Sequence, residues 1–340
     1  MSKITYLIGA GASFGKRKMI DYVNLGKTEV ILEGLPIVSE FSNQINLLMR
    51  SILPSDYPIT LQENIQFLLS ELEWLRANSE KHQTVDTFAK KLYASGKADK
   101  YARLKSVLSV FLTMIQLNYK PDSRYDAFWA AILGNYITEL PDISIFSWNY
   151  DCQFEIAFSE YWENNGIEDI WDFLNITNKT TNHKGKRISF SITKLNGTAL
   201  IYDKYDEINP RLFDPYHDRQ GINKIDSIVT FYLKNNNNVK SALSFAWENA
   251  SPEFWNGIKE KSEDTEILVI IGYSFPYFNR EVDRRIIRNM ANLKKVYIQD
   301  PDCKGVKESF EAVLSTEQLK SDIEFVFKTG TKQFVIPNEM

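Results

Sequence analysis

An amide and a carboxylate stand two residues apart where a short apolar stretch ends. The stretch 143–146 leads into Asn149 and Asp151, within the segment FSWNYD at 146–151. The Asn149 amide can hydrogen-bond a sugar hydroxyl or hold a water molecule. The Asp151 carboxylate can stabilise positive charge at an anomeric carbon or bind the amide of a ligand. Taken singly, each of these residues is typical of a helix cap or a turn, and only the ordered set of segments described below favours a ligand site.

A second segment is suited to binding phosphate. The segment GAGAS at 9–13 follows the apolar stretch 3–8. Gly9 and Gly11 allow backbone N–H groups to approach a diphosphate, Ser13 adds a hydroxyl, and a following helix would add partial positive charge. The dinucleotide fingerprint has a third glycine where this chain has Phe14, with Gly15 one residue later. A tight turn without a ligand is the alternative.

Two further segments stand at the ends of predicted strands. KLNGT at 194–198 ends the alternating stretch 188–195, and IGYSF at 271–275 ends the apolar run 267–271. Gly272 permits close approach, and Ser274 can bond a phosphate or a ribose. Asp300, after the stretch 295–299, is placed to take the hydroxyls of an adenosine ribose. A doubly wound sheet binds its ligand where strands end, so these segments are expected at one edge.

The residues after the glycine turn allow a second interpretation. The stretch 28–32 reads as a strand ending in Glu33. That acid lies about 20 residues beyond the glycines, as in dehydrogenases that bind the adenosine ribose of NAD. On this spacing alone, a dinucleotide-dependent oxidoreductase stands as an alternative.

The four segments in this order resemble the nucleotide site of the sirtuin superfamily, in particular its zinc-free bacterial branch of antiphage proteins. The resemblance covers most of the predicted sheet, from residue 3 to about 300, and it reads 16–33 as a loop leading to Gly34-Leu35-Pro36. Sirtuin deacylases carry a four-cysteine zinc module, which the two distant cysteines of this chain, Cys152 and Cys303, cannot build. No metal is therefore expected.

The resemblance implies an NAD⁺ glycohydrolase that releases nicotinamide and ADP-ribose, acting as an abortive-infection effector under the control of a partner or signal. It implies NAD as the substrate, and a homo-oligomer or a hetero-oligomer with a sensor or ATPase subunit. The alternative is a catalytically weak NAD- or ADP-ribose-binding regulatory subunit of a defence complex. The implied catalytic residues are Asn149, Asp151, Asn196 and His217; the implied NAD-binding residues are Gly9, Ala10, Gly11, Ala12, Ser13, Gly197, Gly272, Tyr273, Ser274, Phe275 and Asp300.

Asn196 departs from the family pattern. It stands where sirtuins carry a histidine that acts as a general base, and a carboxamide cannot take up a proton in that way. Nicotinamide leaves without being protonated, so stabilisation of charge and positioning of water can supply much of the rate. His217, in a predicted insertion, is a substitute base in this hypothesis and a packed or surface residue in the alternative.

Length, composition and the order of the sequence patterns predict the fold class and the domain organisation. The chain has 340 residues, 44% hydrophobic residues and a formal net charge of -4. Strand and helix patterns alternate, which predicts an α/β fold with a Rossmann-like, doubly wound parallel sheet. We expect one domain over 1–340, with a helical insertion at about 37–140 and a polar, aromatic insertion at about 199–250. The charge gives no attraction to nucleic acid, and a cytoplasmic protein without a membrane span is expected.

Overall fold

The structure is a computed structural model. It describes residues 3–15, 17–22, 27–32, 35–82, 84–118, 121–134, 136, 139–162, 166–179, 189–203, 228–229, 232, 239–330 and 332–340. His217, Glu33 and Gly34, which the sequence analysis names, lie outside these residues.

Eleven strands and twelve helices are described below in chain order. The strands are β1 (Ile4–Ile8), β2 (Arg17–Tyr22), β3 (Lys27–Leu32), β4 (Ile143–Ser147), β5 (Ile176–Asn178), β6 (Ser191–Lys194), β7 (Gly197–Asp203), β8 (Val239–Leu243), β9 (Ile267–Ile271), β10 (Lys295–Gln299) and β11 (Glu324–Lys328). The α-helices are α1 (Ala10–Ser13), α2 (Phe41–Ser51), α3 (Ile59–Lys81), α4 (Val85–Ala94), α5 (Ala98–Asn118), α6 (Ser123–Ile132), α7 (Gln153–Phe158), α8 (Ile167–Phe173), α9 (Pro252–Ser262), α10 (Arg280–Asn289), α11 (Cys303–Glu311) and α12 (Thr316–Lys320).

The chain divides into two compact units. The first, the sheet unit, comprises Met1–Gly15, Pro121–Gly197 and Ser244–Met340. The second, the helical unit, comprises Lys16–Lys120 and Thr198–Leu243. Helix α6 belongs to the sheet unit, although the predicted helical insertion at about 37–140 includes it.

The sheet unit is built on one seven-stranded sheet with the order β11-β10-β9-β1-β4-β6-β5. Every neighbouring pair is parallel. The chain enters at β1, moves outward through β4 on one side, and later returns to place β9 on the other side of β1. Helices flank the sheet, so the predicted α/β fold with a Rossmann-like, doubly wound sheet is confirmed. Ligands of such sheets bind beyond the carboxyl ends of the strands, at the point where the strand order reverses.

Apolar strands and capped helices build the sheet unit. All five residues of β9 are buried, which suits a strand covered on both faces. Helix α9 begins at Pro252, and the Ser251 side chain accepts a hydrogen bond of 3.2 Å from the Phe254 amide. Ring contacts between α6 and α7, such as Tyr125 on Phe154 at 4.7 Å, extend the apolar core.

The helical unit joins two distant parts of the chain. Helices α2 to α5 precede β7 and β8, which form a two-stranded sheet. Thr113 on α5 donates a hydrogen bond of 2.6 Å to the Ala199 carbonyl, and the hydroxyls of Ser109 and Ser241 lie 2.6 Å apart. Among the described residues, no helix combines the length and apolar character that a membrane crossing needs.

Three local predictions are corrected. Strands β2 and β3 pair antiparallel in a sheet of their own, so residues 17–22 and 27–32 do not belong to a loop as the family resemblance implies. For the same reason, β3 is not the second parallel strand that the dehydrogenase pattern requires. Helix α1 has only four residues, so the helix expected after the glycine turn is a single short turn.

Backbone hydrogen bonding continues one residue beyond the strands. The four bonds, each from an amide to a carbonyl of the neighbouring strand, run from Gly272 to Gln299 (3.0 Å), from Gly9 to Ile271 (3.0 Å), from Trp148 to Ile8 (2.9 Å) and from Leu195 to Ser147 (2.8 Å). The four segments that carry the motifs therefore start side by side at the carboxyl edge of the sheet.

Glycines allow two of these loops to touch through their backbones. The Gly11 amide donates to the Gly272 carbonyl at 2.9 Å. A Cβ atom added to Gly272 would lie 2.4 Å from the Ala12 nitrogen, and one added to Gly9 would lie 2.5 Å from the Gly272 oxygen. Gly272 also has a φ of +57°, a left-handed conformation that favours glycine. Close packing between the two loops is thus the first reason why these positions require glycine.

We predict that Gly272→Ala lowers the free energy of unfolding by roughly 2–4 kcal/mol, because it adds both a clash and backbone strain. Chemical denaturation of the purified variant measures this. Gly257→Ala is the control, since nothing lies within 4 Å of its added Cβ and it sits inside α9. That variant should gain about 0.5–1 kcal/mol. Equal stability of the two variants would contradict the packing described.

Candidate functional site

Asn149 is held by the glycine segment. Its backbone amide donates to the Ser147 hydroxyl at 3.2 Å, and its side-chain Nδ2 donates to the Ser13 hydroxyl at 2.8 Å. Asn149 is 5% exposed and Ser13 is 3% exposed. The bond from Asn149 to Ser13 joins two segments that are 136 residues apart in sequence, and it fixes which way the Asn149 amide faces.

Tyr125 on α6 completes this connection and was not found by sequence reasoning. Its hydroxyl lies 2.6 Å from the Ser13 hydroxyl, and its ring is fully buried. Burial raises the pKa of Tyr125 well above its usual value, with the nearby Asp151 charge adding to that rise. The phenol therefore stays neutral and serves as a hydrogen-bonding anchor for Ser13.

The orientation of Asn196 follows from its hydrogen bond to Trp148. Its Nδ2 donates to the Trp148 carbonyl oxygen at 3.0 Å. A carbonyl can only accept, so the Asn196 Oδ1 must point the other way. That oxygen is buried and has no hydrogen-bond partner among the described residues, and Asn196 is 7% exposed. Because a buried acceptor without a partner is costly, Oδ1 is suited to receive a donor from a bound molecule.

A buried lysine holds the backbone of Asp151 in place. The Asp151 carbonyl oxygen accepts a bond of 2.6 Å from Lys194 Nζ, and its Oδ1 accepts one of 3.2 Å from the Gln153 amide. Lys194 also pairs with Glu155 at 3.0 Å, and both side chains are essentially inaccessible to solvent. This lysine ties the loop after β4 to the end of β6.

The opposite charges of Lys194 and Glu155 offset the free-energy cost of burying both groups. Burial lowers the pKa of Lys194, but the Glu155 charge and its other acidic neighbours outweigh that effect, and the net shift is upward. Burial raises the pKa of Glu155, and the Lys194 ammonium opposes part of that rise. Each ion therefore depends on the other, since a single charge at this depth would be uncompensated.

The loop after β9 presents one exposed polar residue between two buried rings. Tyr273 and Phe275 are buried, whereas Ser274 is exposed. Tyr273 stacks on Trp148 with ring centroids 6.0 Å apart and an interplanar angle of 15°. Phe275 has a φ of 54°, which is unusual for a bulky residue and costs about 1–3 kcal/mol. The loop is thus held in a strained conformation that faces Ser274 outward.

The glycine loop uses much of its hydrogen-bonding capacity within the protein. The amides of Gly9, Gly11 and Ala12 donate to protein carbonyls. Ala10 and Gly11 form the exposed part of the loop. Arg124, another residue that sequence reasoning missed, donates to the Ala12 carbonyl at 2.9 Å and to the Gly11 carbonyl at 3.3 Å.

The remaining predicted residues are placed as follows. Gly197 is buried with a φ of +65°, and Asp300 is partly exposed and accepts a 2.8 Å bond from the Asp302 amide. Cys152 and Cys303 are buried and are not joined in a disulfide. In the described part of the chain, no three His, Cys, Asp or Glu side chains come together as metal ligands.

Comparison with known proteins does not add a family to this description. No model of a protein family matches the chain, and no curated protein matches it. The motifs and the geometry of the carboxyl edge are therefore the features that point to a function.

We predict that Lys194→Met lowers the free energy of unfolding by about 3–5 kcal/mol, because it leaves the Glu155 carboxyl group buried without its partner. The double variant with Glu155→Leu should be more stable than Lys194→Met alone. Lys294→Met is the control, since Lys294 pairs with Glu266 at an exposed position. Its effect should stay below about 1 kcal/mol. Denaturant unfolding that found the two single variants equally stable would contradict this assignment.

Proposed function

We propose that the carboxyl edge of the seven-stranded sheet binds NAD⁺ and hydrolyses the bond between nicotinamide and ribose. The observation that carries the proposal is the arrangement of two amides around Trp148. Asn149 follows Trp148 directly, and Asn196 donates to the Trp148 carbonyl. Two asparagines, both more than nine-tenths buried, thus flank one backbone carbonyl, three residues before Asp151, at the edge where such folds bind nucleotides.

In the proposed reaction, the bond between ribose C1′ and the nicotinamide nitrogen breaks. Its electron pair neutralises the pyridinium ring, so nicotinamide leaves without needing a proton. Asp151 stabilises the positive charge that develops on the ribose. A water molecule adds to C1′ and releases one proton, which gives ADP-ribose. Asn196 Oδ1 accepts a hydrogen bond from a ribose hydroxyl or from this water, but it does not remove the proton.

The solvent-accessible residues at this edge indicate where the rest of the substrate would bind. Ala10, Gly11 and Ser274 are exposed and would face the diphosphate. Asp300 at the end of β10 would take hydroxyls of the adenosine ribose. A role as an abortive-infection effector, with NADase activity released by a partner or within an oligomer, belongs to the proposal on the strength of the motif resemblance alone.

A regulatory subunit that binds NAD or ADP-ribose without turnover is the second candidate. Two observations favour it: residue 196 does not titrate, and one amide proton of Asn149 is already used by Ser13. The oxidoreductase alternative has less support, because β3, which precedes Glu33 in the chain, lies outside the parallel sheet.

We predict that Asn149→Ala reduces nicotinamide release by at least about 100-fold, since it removes an oriented group at the reacting carbon. The measurement is incubation of the purified protein with NAD⁺, followed by chromatography of nicotinamide and ADP-ribose. Asn289→Ala is the control, because Asn289 makes an amide-to-serine contact with Ser262 on other helices of the sheet unit. It should keep the parent rate, and an active Asn149→Ala would contradict the mechanism.

We predict that Asn196→His introduces a proton-dependent step that the parent lacks at this position. The ratio of its rate to the parent rate should then change with a midpoint near the ~6.5 pKa of an ordinary histidine. If the chain is a binding subunit, the parent should be inactive and the variant should gain turnover. A rate ratio that stays flat with pH would show that residue 196 does not act on the reacting groups.

A further inference from the structure

Asp283 is an acidic residue on the buried face of a helix. It lies on α10 between Val282 and the buried pair Ile286 and Ile287, and it is 0% exposed. A carboxyl group at such a position needs hydrogen-bond partners, because burying it alone is costly. The mechanism above makes no use of it.

The partners of Asp283 come from two of the motif loops. Trp148 Nε1 donates to its Oδ1 at 3.1 Å. The Tyr273 hydroxyl lies 2.7 Å from its Oδ2 and 3.0 Å from its Oδ1. The two rings stack on each other, and Asn279 donates to the Tyr273 hydroxyl at 3.2 Å. One carboxyl group therefore holds both aromatic residues, one from each loop.

Each of these rings leads directly into the candidate site. Trp148 precedes Asn149 in the chain, and its carbonyl oxygen receives the Asn196 amide. Tyr273 follows Gly272, whose carbonyl oxygen receives the Gly11 amide. A shift of either ring would move the backbone of a residue that the candidate site uses.

We propose that Asp283 is a positioning residue that aligns the loop after β4 with the loop after β9 through its hydrogen bonds to Trp148 and Tyr273. Its ionised form holds the two loops most firmly, because hydrogen bonds to a carboxylate are stronger than those to a neutral acid. The consequence for turnover rests on the proposed NAD⁺ hydrolysis, whereas the alignment itself does not.

The surroundings of Asp283 make its ionisation relevant near neutral pH. Burial raises the pKa of Asp283 to about 7, while the hydrogen bonds from Tyr273 and Trp148 and the charge of Arg280 oppose the rise. Among the described residues, the titratable or charged groups that act on it are Tyr273, on the loop after β9, and Arg280, at the start of its own helix. Burial raises the pKa of Tyr273 well above its usual value, so this phenol stays neutral in that range.

The alignment can be measured without any substrate. The chain has seven tryptophans, so the indole N–H signals in a ¹H–¹⁵N spectrum are few, and Trp148→Phe assigns the one in question. We expect the Trp148 indole signal to move with a midpoint near pH 7 in the parent. In Asp283→Asn, which cannot titrate, the signal should stay fixed over about pH 5–9.

A second pair of variants covers the case in which Asp283→Asn fails to fold. Tyr273→Phe keeps the stacked ring but removes the hydroxyl, and it should shift the Trp148 indole signal. Tyr6→Phe is the matched control, because the Tyr6 hydroxyl is bonded to the Val335 carbonyl instead. A Trp148 signal that does not respond to pH in the parent, or that responds equally in Asp283→Asn, would overturn the proposal.

Turnover supplies an independent readout. If the chain hydrolyses NAD⁺, Asp283→Asn should lower kcat by up to about 100-fold with a smaller change in KM, as misalignment of reacting groups does. An inactive parent would count against the proposed hydrolase, while the indole titration would still decide the role of Asp283. Full activity of Asp283→Asn at every pH would contradict the positioning role.

Discussion

The continuous row of backbone hydrogen bonds at the carboxyl edge of the sheet is the constraint on which the rest depends. It extends the ladder one residue past β1, β4, β6 and β9, so loops from distant parts of the chain start in one line. The contact of Gly9 and Gly11 with Gly272 then locks the two central loops together. A larger side chain at these glycines would separate the loops, because their backbones are in direct contact. The glycine motif thus has a structural task that precedes any contact with phosphate.

Hydrogen bonds restrict the orientation of the polar side chains around this edge. Trp148 is the centre of the arrangement, since its carbonyl orients Asn196, its indole is held by Asp283, and Asn149 follows it in the chain. Lys194 holds the same loop through its hydrogen bond to the Asp151 carbonyl oxygen. Buried side chains with fixed hydrogen bonds are the kind of preorganised environment that electrostatic catalysis needs. The same preorganisation would also serve a protein that only binds its ligand, and a measurement of NAD⁺ turnover separates the two proposals.

Sequence patterns predicted the elements better than the contacts between them. The apolar run of β9 acts locally, and this strand was predicted correctly. The β2–β3 hairpin was not predicted, because its short strands are indistinguishable from a loop or a parallel strand without knowing their partners. Tyr125, Arg124 and Asp283 were missed since their partners lie far away in sequence or on another element. One signal was available: Asp283 is an acid on the apolar face of α10, where a charge needs a partner.

The most direct test of the account is a crystal structure of the protein with ADP-ribose, the product of the proposed reaction, which contains no bond left to hydrolyse. The account predicts its diphosphate beside Ala10, Gly11 and Ser274, and its terminal ribose within hydrogen-bond distance of Asn149 and of Asn196 Oδ1. ADP-ribose bound elsewhere on the protein, or no binding at millimolar concentration, would contradict the claim that the carboxyl edge of this sheet is an NAD site.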